Sequence, residues 1–235
     1  GYVNLAPGRA PDALYTRPLF ESRRRVLESG AYAPVVETLS RLAARYAPDD
    51  ALLVDAGCGD GFYAKALAAQ FRRVVAFDLA RDAIYLAASG PKDERAQRVT
   101  FLVADLTRIP VQDGAASVLL DVFTPAHYAE FARVLKPGGV LIKALPGPGY
   151  LREIRALAGQ RDYRNDDVLR RLDETGGERF LPLARETLCY TFPLPEPLRT
   201  DAVRMTPLTH AHAASPDALT EITIEMEIAV LGKRG

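Results

Sequence analysis

The sequence predicts an α/β fold, a mostly parallel sheet with helices on both faces, and three observations carry that prediction. Short apolar runs alternate with helical patterns between residues 52 and 144, a glycine-rich turn follows the first run, and an acid closes each of the next two. Such alternation is the mark of βαβ units, since parallel neighbours must be joined by a long crossover, usually a helix. Right-handed crossovers then place a ligand crevice at the carboxyl ends of the strands.

The elements follow in order. An opening with Pro7, Gly8, Pro11 and Pro18 gives way to helical patterns at 19–29 and 33–46. In the second, Val35, Val36, Leu39, Leu42, Ala43 and Tyr46 recur at helical spacing, and Pro48-Asp49-Asp50 ends it. The alternation then runs strand 52–56, helix 62–70, strand 73–77, helix 81–88, strands 99–103 and 117–122, helix 126–135 and strand 139–144. Residues 150–158 read as a helix, and the polar stretch through Asn165-Asp166-Asp167 and Gly176-Gly177 reads as part of a lid-like insert over about 150–180. Strands at about 184–192 and 220–231 finish the chain, the latter alternating Ile222, Ile224, Met226, Ile228 and Val230. The expected organisation is an N-terminal helical extension over 1–50 on the substrate side and a main domain over 51–235, with the insert and residues 195–218 shaping a lid.

Composition narrows the class. With 235 residues, 48% of them hydrophobic, the chain can bury roughly 70–75% of its unfolded surface, enough for one substantial core. The 30 basic and 30 acidic side chains cancel, so no net field announces a nucleic acid or a membrane. Cys58 and Cys189 are the only cysteines, which excludes a multi-bridge disulfide framework and a multi-cysteine zinc site within the chain. No apolar run approaches the ~20 residues of a membrane span, and no signal-peptide pattern opens the sequence. A cytoplasmic setting with no membrane partner is expected.

The segment Val54-Asp55-Ala56-Gly57-Cys58-Gly59-Asp60-Gly61 carries the central motif. Its glycines let the backbone turn tightly and approach a ligand with no Cβ in the way, and the free N–H groups of the helix starting near Phe62 face the same crevice. Asp78, ending Val74-Val75-Ala76-Phe77-Asp78, is placed to accept both hydroxyls of a ribose. These features suit a nicotinamide dehydrogenase as well as a methyltransferase. Two further segments separate the two. Val103-Ala104-Asp105-Leu106 sets an acid where it can meet an adenine amino group, and Arg133-Val134-Leu135-Lys136-Pro137-Gly138-Gly139 precedes the fifth strand. Each acid alone could simply brace a loop, and the lysine-proline turn could be only a turn; together they argue for a cofactor site. Cys58 reads as a small packing residue of the loop, not a nucleophile.

The series DAGCGDG, FD, ADL and RVLKPGG, in this order and spacing, resembles the class I S-adenosylmethionine-dependent methyltransferases. That resemblance implies a Rossmann-like seven-stranded sheet, with S-adenosyl-L-methionine as cofactor and S-adenosyl-L-homocysteine as product. It places Asp55, Gly57, Cys58, Gly59, Gly61, Asp78, Leu79, Asp105 and Leu106 around the cofactor. A narrower resemblance covers nearly the whole chain. Gly1-Tyr2-Val3-Asn4-Leu5, Arg23-Arg24, Leu27-Glu28-Ser29-Gly30-Ala31-Tyr32, Gly57 to Tyr63, Pro146-Gly147-Pro148 and Met205-Thr206-Pro207 are similar to the bacterial 23S rRNA guanine-N1 methyltransferases, including those associated with macrolide resistance. Members of that family carry a four-ligand zinc ribbon just before the GYVNL segment, which here opens the sequence. The resemblance implies rRNA modification, antibiotic resistance and 23S rRNA as partner if such a ribbon precedes Gly1 in the full protein. Otherwise it implies a small-molecule acceptor, such as a natural product. A homodimer is a further expectation, and a cofactor-binding interaction protein without turnover is a third reading.

Methyl transfer is an in-line displacement, so a site for it must position donor and nucleophile and exclude water. A guanine N1 also carries a proton for which an acceptor is useful. The segment after the fourth strand, Asp121-Val122-Phe123-Thr124-Pro125, stands where class I enzymes meet the acceptor. Asp121 is the candidate proton acceptor, or else a loop or cofactor hydrogen-bond partner. Phe123 is the candidate stacking ring. This segment lacks the Asn-Pro-Pro-aromatic signature of exocyclic amino methylation. Tyr15, Arg23, Arg24, Phe62, Tyr63, Thr124, Pro125 and Pro146 complete the expected acceptor side, with simple packing as the alternative for the aromatics. Arg23-Arg24-Arg25 lies on one helix, so the three cannot all face one ligand. Arg72, Arg73, Arg152, Arg155, Arg170 and Arg171 read as solvated or acid-paired rather than as an RNA track. His127, His210 and His212 are scattered and form no metal-binding pattern.

Overall fold

A computed structural model of the chain describes residues 1–9, 13–47, 51–90, 97–159, 178–209 and 215–234. Its strands are β1 (Tyr2–Asn4), β2 (Leu52–Ala56), β3 (Arg73–Asp78), β4 (Val99–Val103), β5 (Ala116–Val122), β6 (Leu135–Pro146), β7 (Phe180–Pro193) and β8 (Glu221–Lys233). They form one sheet in the order β1-β4-β3-β2-β5-β6-β8-β7. Every pairing from β1 to β6 is parallel, and β8 runs antiparallel to both β6 and β7. The strand count departs from the expected seven. The eighth strand, β1, is three residues long and pairs only with β4, too short for its periodicity to show in the sequence.

The strand order reverses beside β2, which has β3 on one side and β5 on the other. A crevice opens at such a switch point because successive crossovers leave in opposite directions. Alternate residues of the strands feed two cores, as the period of two requires. Leu53, Ala76, Leu120 and Ile142 join one with α2 (Ala33–Tyr46) and α3 (Phe62–Leu67). Val54, Phe77, Leu119 and Leu141 join the other with α5 (Tyr128–Val134). Between α3 and α5, α4 spans Arg81–Ala88.

The N-terminal helical pattern divides differently from expectation. Helix α1 covers Arg17–Val26, and a π turn over Leu27–Ala31 breaks it before α2, with Gly30 at φ 91. Only glycine takes that backbone cheaply. Further on, α6 covers Arg152–Leu157 and α7 covers Glu196–Arg204, the latter inside the segment expected to be part of a lid. Arg25 ties α1 to α7 through two 2.6 Å bonds to Asp201. The insert over 160–177 lies outside the described residues. No described helix is long and apolar enough to cross a membrane.

Across β5 and β6, Asp121 stands in register with Lys143, and Lys143 Nζ donates to Asp121 Oδ2 at 2.7 Å. Both side chains are buried, at 0% and 2% exposure. Removing one partner of such a pair leaves a buried group uncompensated, whereas an apolar replacement of both does not. Lys143→Met is therefore expected to cost about 3–5 kcal/mol. Combining it with Asp121→Leu should recover most of the loss, as read from urea unfolding curves. A double variant no more stable than the single would contradict this account.

Candidate functional site

The site is built on the turn after β2. Gly57, Gly59 and Gly61 have φ of 73°, 54° and 75°, values at which a Cβ is strained. Two amides of the turn, Gly57 N and Cys58 N, both donate to Phe77 O at 2.9 Å. Gly59 N donates to Asp78 Oδ2 at 2.9 Å and Ala80 N to Asp78 Oδ1 at 2.8 Å. The end of β3 thus holds the turn, and the Asp78 carboxylate keeps acceptor capacity for a ligand hydroxyl.

Around this turn lies a cavity of about 500 Å³. Asp55 enters it from the end of β2, 2% exposed, with no partner for Oδ2 among the described residues. Burial first, then the nearby Asp78, pushes its carboxyl up to about 8. At the far end, Asp105 pairs with Arg9, and its Oδ1 accepts from Thr107 N at 2.8 Å and Thr107 Oγ1 at 2.7 Å. Those donors hold its carboxyl below the usual range. Leu79 and Leu106 line the wall between.

The opposite wall is aromatic. Phe123 adopts φ 58, a left-handed backbone that costs a bulky residue about 1–2 kcal/mol. It is held because Phe123 N donates to Ala144 O at 3.0 Å, while Lys143 Nζ donates to Thr124 O at 3.0 Å. The Phe123 ring meets that of Tyr150 at 4.9 Å between centroids. Tyr150 Oη and Tyr32 Oη share a 2.7 Å hydrogen bond. Tyr63 Oη is buried without a partner among the described residues. Burial raises the phenols of Tyr32 and Tyr63 well above their ordinary value, so both stay neutral hydroxyls. The Pro146-Gly147-Pro148-Gly149 turn is moulded around Glu225. Gly149 N donates to Glu225 Oε2 at 2.7 Å, and a Cβ on Gly147 would lie 2.6 Å from Glu225 Cγ.

The two walls are latched together. Thr124 Oγ1 donates to Gly57 O at 3.2 Å, and a Cβ on Gly57 would lie 2.4 Å from Thr124 Oγ1 and Cγ2. Gly57 is therefore required for contact with the opposite loop as well as for the turn.

Most expected residues meet in this cavity. Of the residues expected around the cofactor, Asp55, Gly57, Cys58, Gly59, Asp78, Leu79, Asp105 and Leu106 line it. Of those expected around the acceptor, Tyr15, Arg23, Phe62, Tyr63, Phe123, Thr124, Pro125 and Pro146 line it as well. Three expected residues stand off the wall. Gly61 lies under it, where a Cβ would strike the Phe101 ring at 2.6 Å, so its role is to let α3 pack. Arg24 turns to Asp60, its Nε donating to Asp60 Oδ2 at 2.9 Å. Asp121 points into the sheet toward Lys143, and burial pushes its carboxyl up to about 6 against the pull of that ammonium. Tyr32, Asp60, Tyr150 and Met205 to Leu208 also form the wall and were not expected there. Tyr32 and Met205 stood in segments singled out by resemblance, and Asp60 in the glycine turn, but nothing in their spacing gave them a direction.

The remaining candidates find ordinary partners. His127 Nδ1 accepts from Glu130 N at 3.2 Å and caps α5. His210, His212, Arg170 and Arg171 lie outside the described residues. Cys58 is buried and its thiol pushed well up, as befits a packing residue.

The raised carboxyl of Asp55 makes a pH prediction. The folded chain holds a proton that the unfolded chain, near the usual 3.8, has lost. Stability from this group is therefore present below about 4 and lost as pH rises through about 8. Asp55→Asn should flatten that decline, so that the unfolding temperature of the parent falls more than that of the variant between about pH 5 and about pH 9. Equal slopes would assign the decline to another group.

With this geometry in place, comparison with known proteins is specific. A methyltransferase-domain family model matches residues 53–139. The 23S rRNA (guanine(748)-N(1))-methyltransferase of Streptomyces fradiae is 32% identical over 201 residues, 83% of this chain and 69% of that protein. A Micromonospora griseorubida protein provisionally named a 23S rRNA (guanine-N(1)-)-methyltransferase is 31% identical over 234 residues, 88% of this chain and 78% of that one. A Bacillus subtilis protein provisionally given the same name is 32% identical over 183 residues, and the chain spans only 63% of its length. Among solved structures, a Haloferax volcanii protein provisionally named a methyltransferase, in complex with the Trm112 activator, superposes with a TM-score of 0.59. It covers 96% of this chain at 16% identity, a likeness of fold alone.

Proposed function

Because the chain belongs to the family of S-adenosylmethionine-dependent methyltransferases that includes the 23S rRNA (guanine-N1)-methyltransferases, we propose that it transfers a methyl group from S-adenosyl-L-methionine to N1 of a guanine in 23S rRNA. The observation that carries this reading is the extent of the similarity. It reaches beyond the cofactor half of the cavity, over 88% of the chain in one relative, and so takes in the acceptor wall.

The residues present fit the cofactor. Gly59 leaves room for a ligand against bare backbone, where a Cβ would meet nothing nearer than the Phe20 ring at 3.8 Å, and Asp55 Oδ2 is a buried acceptor without a partner among the described residues. Asp105 and Leu106 would hold the adenine, Asp78 the ribose hydroxyls, and Asp55, Gly57 and Gly59 the methionine end. When bound, S-adenosyl-L-methionine supplies a methyl group activated by a positively charged sulfur. The chain's own part is to orient the acceptor and keep water out. The Phe123 and Tyr150 rings offer a face for a planar base, and the neutral Tyr63 hydroxyl offers a hydrogen bond to its polar edge. Asp121, set behind the wall, serves as a positioning residue. Through Lys143 it fixes the Thr124 carbonyl and with it the Phe123 backbone.

A second reading, a small-molecule acceptor, is favoured by charge. Among the described wall residues four are acids and one is a cation, a poor lining for a phosphate backbone. One assay separates the two. Incubation of the full-length protein with tritiated S-adenosyl-L-methionine and deproteinised 23S rRNA, or ribosomal particles, is expected to label a guanine of the RNA. No incorporation into either would sink the rRNA assignment.

A further inference from the structure

Charge in the cavity wall is unevenly answered. Of its four carboxylates, Asp60 has Arg24 as partner at 2.9 Å, and Asp105 has Arg9. Asp55 and Asp78 have no cationic partner within ion-pair distance among the described residues. The one cation of the described wall is Arg23, on α1. Its Nε donates to the Met205 carbonyl oxygen at 3.0 Å, and its guanidinium lies 5.5 Å from the centre of the Phe20 ring. Its two Nη groups find no acceptor among the described residues. An arginine held this way presents a fixed fork of donors to the cavity.

The cofactor reading adds the other half. The methionine end of S-adenosyl-L-methionine bears an ammonium and a carboxylate. Asp55, with its unpartnered buried oxygen, is a complement for the ammonium. The carboxylate needs a cation, in a wall where every other charged side chain is an acid, because an unpaired charge taken from water is strongly opposed.

We propose that Arg23 binds the α-carboxylate of the cofactor's methionine moiety through its Nη groups, with the Met205 carbonyl and the Phe20 ring setting the guanidinium in place. This assignment rests on the methyltransferase reading, and it moves Arg23 from the acceptor side to the donor side. It also gives the Met205-Thr206-Pro207 segment a task. The turn after α7 fixes the carboxylate anchor of α1, and Arg25 holds the two helices together.

Calorimetry with two ligands tests this. S-adenosyl-L-homocysteine has the amino-acid end, and 5′-methylthioadenosine keeps the adenosine and sulfur without it. In Arg23→Met, affinity for the first is expected to fall about tenfold or more, as for a lost charged hydrogen bond. Affinity for the second should stay within about twofold of the parent. Arg23→Lys, which keeps the charge without the fork, should restore part of the loss. Equal weakening of both ligands would make Arg23 a structural residue and overturn the proposal. Unchanged S-adenosyl-L-homocysteine affinity with a raised KM for the acceptor RNA would return Arg23 to the acceptor side and overturn it as well. A parent protein that binds neither ligand would overturn the cofactor reading itself, and this assignment with it.

Discussion

The site depends on one small arrangement, the capture of the glycine turn by the end of the neighbouring strand. Three successive amides of the turn, those of Gly57, Cys58 and Gly59, are taken up by the carbonyl of Phe77 and the carboxylate of Asp78. A backbone folded three times into the left-handed region would otherwise leave polar groups buried and unpaired, which a protein interior rarely tolerates. Because β2 and β3 are parallel and in register from Leu52 to Ala56, the two strand ends arrive side by side. The sheet therefore supplies the turn's partners without any further loop. Everything lining the donor half of the cavity is placed relative to this contact.

Electrostatics follow from the same placement. Strand ends that converge at a switch point bring their terminal acids together, and in this chain they are Asp55 and Asp78 in a largely apolar surround. Burial raises both carboxyls, and for Asp78 the amides of Ala80 and Gly59, and then Arg23, pull the other way. A cationic ligand beside these two acids would favour the ionised form of Asp55, so that ligand binding and loss of its proton are linked. The buried Lys143 and Asp121 pair is a different case. It offers nothing to a ligand directly, yet it underlies Phe123, a bulky residue of the wall whose backbone is left-handed.

Much of this was legible in the sequence. The short apolar runs that alternate with helical patterns from Leu52 to Ala144 predict a parallel sheet, and the acids at 55, 78 and 105 predict where its ligand edge lies. Those positions are readable because backbone geometry fixes them: a residue that ends a strand must stand at the crevice. Side-chain direction was less accessible. Asp121 reads as an acceptor-facing base because it sits near a strand end, but register with Lys143 turns it into the sheet. Arg23 and Arg24 are adjacent and alike, and only the packing of α1 against α7 sends one to a carbonyl of the cavity wall and the other to Asp60. Strand β1 escaped because three residues carry no period, and the π turn over Leu27–Ala31 escaped because its residues continue the helical pattern of α1 up to the expected break at Gly30.

The contact between Thr124 and Gly57 has a further meaning. Two ligands that react across a gap are usually brought to distance by a moving part, a lid or a closing domain. In this chain the loop that would carry the acceptor rests directly on the loop that would carry the donor, side chain against backbone, with no room for so much as a methyl group between them. The separation of the two half-sites is thus gauged by the dimensions of one glycine and one threonine. A reaction that tolerates little error in distance is given a ruler made of one non-bonded contact, whose length is set by the hydrogen bond and the van der Waals radii of the two residues.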